Sequence, residues 1–296
     1  MTKTTKTTAT KSAMRTRQAK VMPKIASPKT TIPKIDLPTQ LTEQFRELRL
    51  PTIRDQFQEA AVRAATENLS HLEYLSELTT VECETRRFGR IRRLLTRSRL
   101  PFGKTWDNFK FDRLPLNVTR QLETLRDGLF LNRRENILIF GKPGSGKSHV
   151  LCALAEQLVQ QGHSILFTTC ALLVQQLLIA KRDLRLSKLI NQLSKFEGLI
   201  IDDLGYVQQS REEMEVLFTL LAERYERGSV LLTSNLAFSK WDQIFKDAMT
   251  TAAAIDRLVH HSVIIELNVP SFRVETAHMS KSTGQQPTTK SPTPTS

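Results

Sequence analysis

The sequence predicts an α/β protein in which a parallel β-sheet carries a phosphate-binding loop and a smaller helical region precedes the sheet. The loop is the first observation: Gly141-Lys-Pro-Gly-Ser-Gly-Lys-Ser148 fits G-x-x-x-x-G-K-[ST] and directly follows the apolar run 136–140. The second is an alternation, from about residue 105, of short apolar runs and longer helical patterns, which is typical of a parallel sheet covered on both faces. The third is a helical periodicity of apolar residues over 41–100.

The phosphate-binding loop predicts a nucleotide site. Its glycines let the backbone wrap closely round a polyphosphate with N–H groups pointing inward. We expect Lys147 to reach the β- and γ-phosphates and the Ser148 hydroxyl to ligate Mg²⁺. A helix begins at the loop, and its N-terminal dipole favours anions. The candidate nucleotide-binding residues are Gly141, Lys142, Pro143, Gly144, Ser145, Gly146, Lys147, Ser148 and His149.

In the predicted order of elements, one further strand lies between the strand that precedes the phosphate-binding loop and the first strand that ends in acidic residues. The predicted strands are 136–140, 164–168, 198–202, 229–234 and 263–267. The predicted helices are 117–131, 147–161, 171–196 with a break around Asp183, 212–227 and 251–261. This spacing discriminates among nucleotide-binding architectures.

Polar side chains end two of the predicted strands. Asp202 and Asp203 follow Leu199-Ile-Ile201, where a carboxylate can hold Mg²⁺ beside the phosphates. We assign Mg²⁺ to Asp202 and the positioning or deprotonation of the attacking water to Asp203. After the strand 229–234, either Asn235 or Thr233 is placed to orient that water or to contact the γ-phosphate.

The last predicted helix carries Arg257 and ends in two histidines. Arg257 is either one half of a surface pair with Asp256 or an arginine that projects into a neighbouring subunit's nucleotide and stabilises transition-state charge. His260 and His261 have no partner at metal-ligand spacing in the sequence, so we interpret them as helix C-terminal residues rather than ligands.

A basic stripe marks the helical region. Arg86, Arg90, Arg93 and Arg97 recur at helical spacing and share one face, and no acidic residue occurs between Arg86 and Lys104. Without a polyanion so many arginines repel one another, which favours phosphate contact over a merely solvated surface. We expect the helix to dock through a different face, lined by Phe88, Ile91 and Leu95.

Composition narrows the class of protein. The net charge is +13, and residues 1–40 hold nine Lys or Arg against one acid, a local net charge of +8 in a Thr- and Pro-rich stretch. Three widely spaced cysteines predict a reduced, cytoplasmic protein, and no run approaches the roughly 18 apolar residues of a membrane span.

Taken together, these motifs resemble the IstB-like ATP-binding proteins. Besides the loop, the resemblance rests on Ile-Ile-Asp-Asp-Leu-Gly-Tyr206, Thr-Ser-Asn-Leu236 and Thr-Ala-Ala-Ala-Ile-Asp-Arg-Leu-Val-His-His261, and it runs from about Leu41 to Arg273. It implies an AAA+ fold with strand order 5-1-4-3-2, bound ATP and Mg²⁺, and homo-oligomers that assemble on double-stranded DNA. It also implies stimulation and targeting of a separate transposase.

The resemblance carries individual roles onto matching positions. It implies that Asn235 is the polar sensor of the γ-phosphate, that Arg257 is the arginine finger and that Arg273 is a weak candidate for a second sensor. The implied domains are a helical region at 41–104 that contacts DNA or other subunits, and an ATPase domain at 105–275. Disordered tails are expected at 1–40 and 276–296.

Departures from the family's pattern leave alternatives open. Asp203 stands where many AAA+ proteins have Glu, so we expect slow, DNA-stimulated hydrolysis. One alternative is a replicative-helicase loader of the DnaC type that binds single-stranded DNA. Another is a scaffold gated by ATP occupancy that does not hydrolyse ATP.

Overall fold

The computed structural model describes residues 36–205, 210–241 and 248–271, which form parts of two compact units. One unit ends at Leu78 and the other begins at Thr79. The division therefore falls inside a helix and not at residue 104, where the sequence analysis placed the domain boundary. The expected tails lie outside the described residues except for 36–40, and so does Arg273. Within the described part of the chain, no helix combines the length and the apolar character needed to cross a bilayer.

The first unit is helical. It contains α1 (Leu37–Glu47), α2 (Pro51–Thr66) and the start of α3 (His71–Ser98). α1 begins at Leu37, four residues before the expected start of the helical region, and α2 begins at Pro51. Each helix has a proline in its first turn, where proline is tolerated. A capping box begins α3: Glu73 N–H donates to Ser70 Oγ and Ser70 N–H donates to the Glu73 carboxylate. A small core holds these helices together, formed by Ile53, Phe57, Ala60 and Leu78.

The docking face predicted for the second half of α3 is wrong. Phe88 is 69% exposed and Leu95 is 36% exposed. Leu94 instead packs on the core of the second unit, and Ser98, one turn later, is fully buried. Leu94 and Ser98 are one helical turn apart and therefore lie on the same face of α3. This buried face is offset by one residue position from the more apolar face that carries Leu95.

Within the described residues, the second unit contains the remainder of α3, a five-stranded sheet and seven further α-helices. The strands are β1 (Asn136–Gly141), β2 (Ile165–Thr169), β3 (Gly198–Leu204), β4 (Ser229–Ser234) and β5 (Ser262–Leu267). The helices are α4 (Leu116–Leu125), α5 (Leu129–Arg133), α6 (Lys147–Gln160), α7 (Cys170–Arg182), α8 (Leu186–Leu193), α9 (Arg211–Arg224) and α10 (Ala248–Val259).

The sheet is parallel throughout, with the order β2-β3-β4-β1-β5. This is the predicted order read from the other edge, and the predicted fold class is confirmed. Side chains alternate between two cores, as a pleated strand requires: Ile137 and Ile139 face one core, and Leu138 and Phe140 face the other. Since β4 lies between β1 and β3, the carboxyl ends of these three strands meet at one edge.

Two predicted helices are divided. The segment predicted as one helix at 117–131 forms α4 and α5, because Gly128 between them adopts a left-handed φ of 73°. The break expected around Asp183 is present between α7 and α8, where Leu184 has a φ of 55°.

A buried arginine fixes the end of α9 against the sheet. Arg224 is 1% exposed, and burial lowers its pKa to about 10. Its guanidinium donates to the carbonyl oxygens of Leu193 (3.0 Å), Phe196 (3.1 Å), Glu197 (3.2 Å) and Ser229 (3.0 Å). One side chain thus joins the end of α8, the approach to β3 and the start of β4.

We expect Arg224→Ala to lower the free energy of unfolding by about 3 kcal/mol or more, because several buried carbonyl groups would lose their donor. Chemical denaturation measures this. The matched control is Arg211→Ala, which removes an exposed arginine from the same helix and should change stability by no more than about 0.5 kcal/mol. Equal losses for the two variants would contradict the role of Arg224.

Candidate functional site

The loop between β1 and α6 is shaped by glycines that have no room for a side chain. Gly146 precedes α6 with a φ of 96°, and a Cβ there would lie 2.9 Å from the Phe109 ring. Gly144 has a φ of 80°, and a Cβ there would overlap the Ser271 hydroxyl. Both positions therefore require glycine, and the loop forms a close-fitting backbone cradle.

Two buried side chains of the loop are suited to an anion. Lys147 is 6% exposed, and its ammonium donates to the carbonyl oxygens of Gly141 (2.8 Å) and Lys142 (3.0 Å). The Ser145 hydroxyl is buried without a hydrogen-bond partner among the described residues. A polyphosphate in the cradle would offer acceptors to both groups, so the residues present fit a nucleotide.

Thr233 positions the acidic pair. Its hydroxyl, on β4, donates to Asp202 Oδ1 (2.6 Å) and accepts from the Asp203 N–H (2.8 Å). The pairing of β3 with β4 shifts register between Ile201 and Leu204, and Asp203 adopts a left-handed φ of 61°. This irregularity leaves Asp202 buried and turns Asp203 towards solvent.

A cavity of about 300 Å³ joins the loop to the strand ends. Asp203 and Asn235, which follows β4, line it opposite the loop residues. The structure therefore brings together the following predicted site residues: Pro143, Gly144, Ser145, Gly146, Lys147, Ser148, His149, Asp203 and Asn235. Asp202 is buried and does not line the cavity. Of the two residues considered at the end of β4, Thr233 is fully buried while Asn235 is exposed.

One wall of the cavity was missed in the sequence analysis. It comes from the segment before α4 and from the end of β5, through Lys104, Asn108, Phe109, Lys110, Arg113, Leu114 and Val269. His149 holds this segment, with Nε2 3.0 Å from the Thr105 carbonyl oxygen and its ring edge-on to Phe109. The Arg113 guanidinium donates to the Pro270 carbonyl oxygen (3.1 Å) and so links the two parts of the wall. The aromatic residues Trp106, Phe109 and Phe111 were the available signal.

Ser148 at the start of α6 and Asp202 on β3 are the oxygen donors that the sequence predicts for Mg²⁺. Ser148 and Cys152 are one helical turn apart and share a face. The pKa of the Cys152 thiol is raised to about 12, mainly by burial, while Lys104 lowers it and the Asp202 carboxylate raises it to a smaller extent. A hydroxyl and a carboxylate are oxygen donors that suit Mg²⁺.

The remaining predicted site residues lie elsewhere in the second unit. Arg257 has its guanidinium 4.6 Å from the centre of the Phe218 ring and does not line the cavity. The four arginines of the stripe are exposed along α3, where Arg86 pairs with Glu82 (2.6 Å). Arg90 donates to the Gly162 carbonyl oxygen (3.4 Å), and Arg97 lies 5.5 Å from the centre of the Phe196 ring.

Comparison with known proteins identifies relatives that match about four fifths of the chain. A protein of Sinorhizobium fredii is 41% identical over 238 residues, covering 80% of this chain and 80% of the relative. A protein of Geobacillus stearothermophilus is 34% identical, covering 79% of this chain and 94% of the relative. Both have names that assign them to an insertion sequence and to ATP binding.

Solved structures are similar at a lower level. The DnaC helicase loader has a TM-score of 0.48 and 13% identity, covering 56% of this chain and 97% of the other. With a TM-score below 0.5, this likeness has no bearing on function. The family model described as "IstB-like ATP binding protein" matches residues 43–280, and the chain therefore belongs to the IstB-like ATP-binding protein family.

Proposed function

We propose that the protein is an ATP-dependent DNA-binding helper of a transposase, which assembles on duplex DNA and stimulates and targets transposition. The observation that carries the proposal is the cavity in which the phosphate-binding loop faces Asp203 and Asn235. The names of the relatives support the link to an insertion sequence and to ATP.

The walls of the cavity suit a nucleoside triphosphate. Four cationic side chains line it, Lys104, Lys110, Arg113 and Lys147, against the single carboxylate of Asp203. This excess of positive charge complements a triphosphate. Phe109, Leu114 and Val269 supply apolar surface in the same cavity, which suits the flat faces of a nucleobase.

Hydrolysis needs a water aligned with the γ-phosphate. The exposed Asp203 carboxylate is placed to accept a proton from that water, and the Asn235 amide to hold it or to contact the γ-phosphate. Mg²⁺, held by Ser148 and Asp202, would neutralise charge on the phosphate oxygens. The aspartate side chain is one methylene shorter than glutamate, so we expect a slow rate unless DNA or a partner tightens the site.

Arg257 acts on the nucleotide of a neighbouring subunit. It lines a surface depression with Arg133 and Glu226, which are at the amino ends of β1 and β4. The nucleotide cavity lies at the carboxyl ends of the same strands. A six-residue strand separates the two edges by about 20 Å, so Arg257 is too far from the cavity of its own chain. An oligomer in which the amino edge of one subunit faces the cavity of the next would use it.

Duplex DNA binds along the second half of α3. Seven arginines and no acid occur between residues 86 and 99. Arg90, Arg93 and Arg97 line a shallow surface groove together with Arg92. Exposed guanidinium groups along one helix face are suited to successive phosphates, and such contacts carry no base preference.

Lys147→Ala tests the nucleotide site. We expect it to weaken ATP binding by about a hundredfold or more, because the charge-assisted hydrogen bonds to the phosphates are lost. Isothermal titration calorimetry measures the Kd. The control is Lys188→Ala, which removes the same charge from an exposed position on α8, outside the loop, and should leave the Kd unchanged. Unchanged affinity in the Lys147 variant would overturn the assignment.

Arg257→Ala tests action between subunits. We expect it to retain ATP binding and to lose most ATP turnover. Because Lys147→Ala subunits still carry Arg257, a mixture of the two inactive variants should recover part of the turnover. Steady-state phosphate release measures this, with duplex DNA and with single-stranded DNA.

Wild-type turnover in the Arg257 variant, or no recovery in the mixture, would contradict action between subunits. Stimulation mainly by single-stranded DNA would favour a helicase loader. ATP binding without turnover in any condition would favour a scaffold gated by ATP.

The triple variant Arg90/Arg93/Arg97→Ala tests the DNA surface. We expect weaker binding to all duplex sequences, and a plot of log K against log salt whose slope is smaller by about 2 to 3, since three phosphate contacts are lost. Fluorescence anisotropy with labelled duplexes measures both quantities. The control variant Arg182/Arg185/Arg211→Ala removes the same net charge from exposed positions outside α3. Equal slopes for the wild type and the α3 variant would show that the stripe does not contact DNA.

A further inference from the structure

The amino edge of the sheet carries a cluster of potential metal ligands far from the nucleotide cavity. Glu226 lies in the turn before β4, and His260 and His261 form the turn before β5. One ligand atom from each of the three side chains lies within 4.8 Å of the other two. The sequence shows no metal-ligand spacing here, because the third ligand is more than 30 residues away and is supplied by the fold.

Backbone geometry brings the two adjacent histidines to one side. Successive side chains of a helix point about 100° apart, so two neighbouring residues within α10 would not bind the same ion. His261 leaves the helix with a left-handed φ of 66°, and the two imidazole rings then lie 4.0 Å apart, centre to centre. Glu226 also has a left-handed φ, of 57°. Two unusual backbone conformations thus place three donors together.

Tyr225 orients one of these ligands. Its hydroxyl lies 2.9 Å from His260 Nδ1. A proton on Nδ1 donated to Tyr225 leaves Nε2 as a free electron-pair donor. Metal-binding histidines usually have such a partner on the second ring nitrogen.

The turns that carry the cluster are held by Asn136 at the start of β1. Its side-chain Oδ1 accepts from the Val230 N–H (2.8 Å), and its Nδ2 donates to the Leu258 carbonyl oxygen (3.0 Å). Asn136 is 9% exposed. One buried amide therefore fixes the spacing between the turn with Glu226 and the turn with the histidines.

The donor atoms of the cluster, and not the nearby arginines, determine which kind of ion it suits. Arg133, Arg134 and Arg257 line the same depression, and each is engaged by other groups. Arg133 pairs with both oxygens of Glu135, Arg134 donates to the Glu226 carbonyl oxygen, and Arg257 lies over Phe218. The single carboxylate of the cluster does not suit Mg²⁺ or Ca²⁺, which need several oxygen ligands. Two imidazoles and a carboxylate suit borderline ions such as Zn²⁺.

We propose that Glu226, His260 and His261 form a binding site for a divalent transition-metal ion of the Zn²⁺ class, with water or an external ligand in the remaining position. The bound ion joins the turn before β4 to the end of α10. It is separate from the Mg²⁺ site of the nucleotide cavity, which lies at the opposite edge of the sheet.

Titration of the metal-free full chain with Co²⁺ in excess Mg²⁺ tests the proposal. We expect one equivalent to bind with weak visible bands of nitrogen and oxygen ligation and without thiolate charge-transfer bands, and Zn²⁺ to displace it. His260→Ala and His261→Ala should each weaken binding by about a hundredfold. Glu226→Gln, which keeps the size of the side chain, should weaken it by about tenfold or more. His71→Ala removes an exposed histidine in the other unit and serves as the matched control.

Circular dichroism and ATP affinity show whether each variant is folded. Should a histidine variant fail to fold, Glu226→Gln and Tyr225→Phe decide, because both are close in shape to the original side chains. The absence of one-equivalent Co²⁺ binding would overturn the proposal. Binding that none of the cluster variants weakens, or that His71→Ala weakens equally, would also overturn it.

Discussion

The arrangement of the nucleotide cavity depends on one buried hydroxyl. Thr233, fully buried on β4, donates to Asp202 and accepts from the backbone of Asp203. The first bond holds one carboxylate inside, and the second stabilises the left-handed residue that turns the other carboxylate outward. Two neighbouring acids thereby acquire different environments, which their adjacency in the sequence does not reveal.

Sheet order explains why the two edges of the molecule differ. With β4 between β1 and β3, the carboxyl edge collects the phosphate-binding loop, the acidic pair and Asn235. The amino edge collects the turns before β1, β4 and β5, all held by Asn136. Polar chemistry concentrates at both edges because the strands between them are buried on both faces.

Local patterns were sufficient for much of this architecture. The loop, the strands and the acidic strand end each have a signature within a few residues, so the sheet and half of the cavity could be predicted. Contacts between distant segments could not be. Phe109 and His149 meet only in the fold, as do Glu226 and His260. The face on which α3 docks was also mispredicted, because Phe88 is more apolar than Ser98 and yet exposed.

The positions of Arg257 and of the metal-ligand cluster relate the two proposals. Both lie at the amino edge of the sheet, and Arg257 precedes His260 by three residues. If Arg257 serves the nucleotide of a neighbouring subunit, this edge faces the cavity of that subunit. An ion bound by Glu226, His260 and His261 would then lie beside the junction and stiffen the helix end that carries Arg257. Arg257 can reach the neighbouring nucleotide only if its helix end is held in a defined position. Metal binding would therefore change ATP turnover and leave the affinity of each isolated subunit for ATP unaffected.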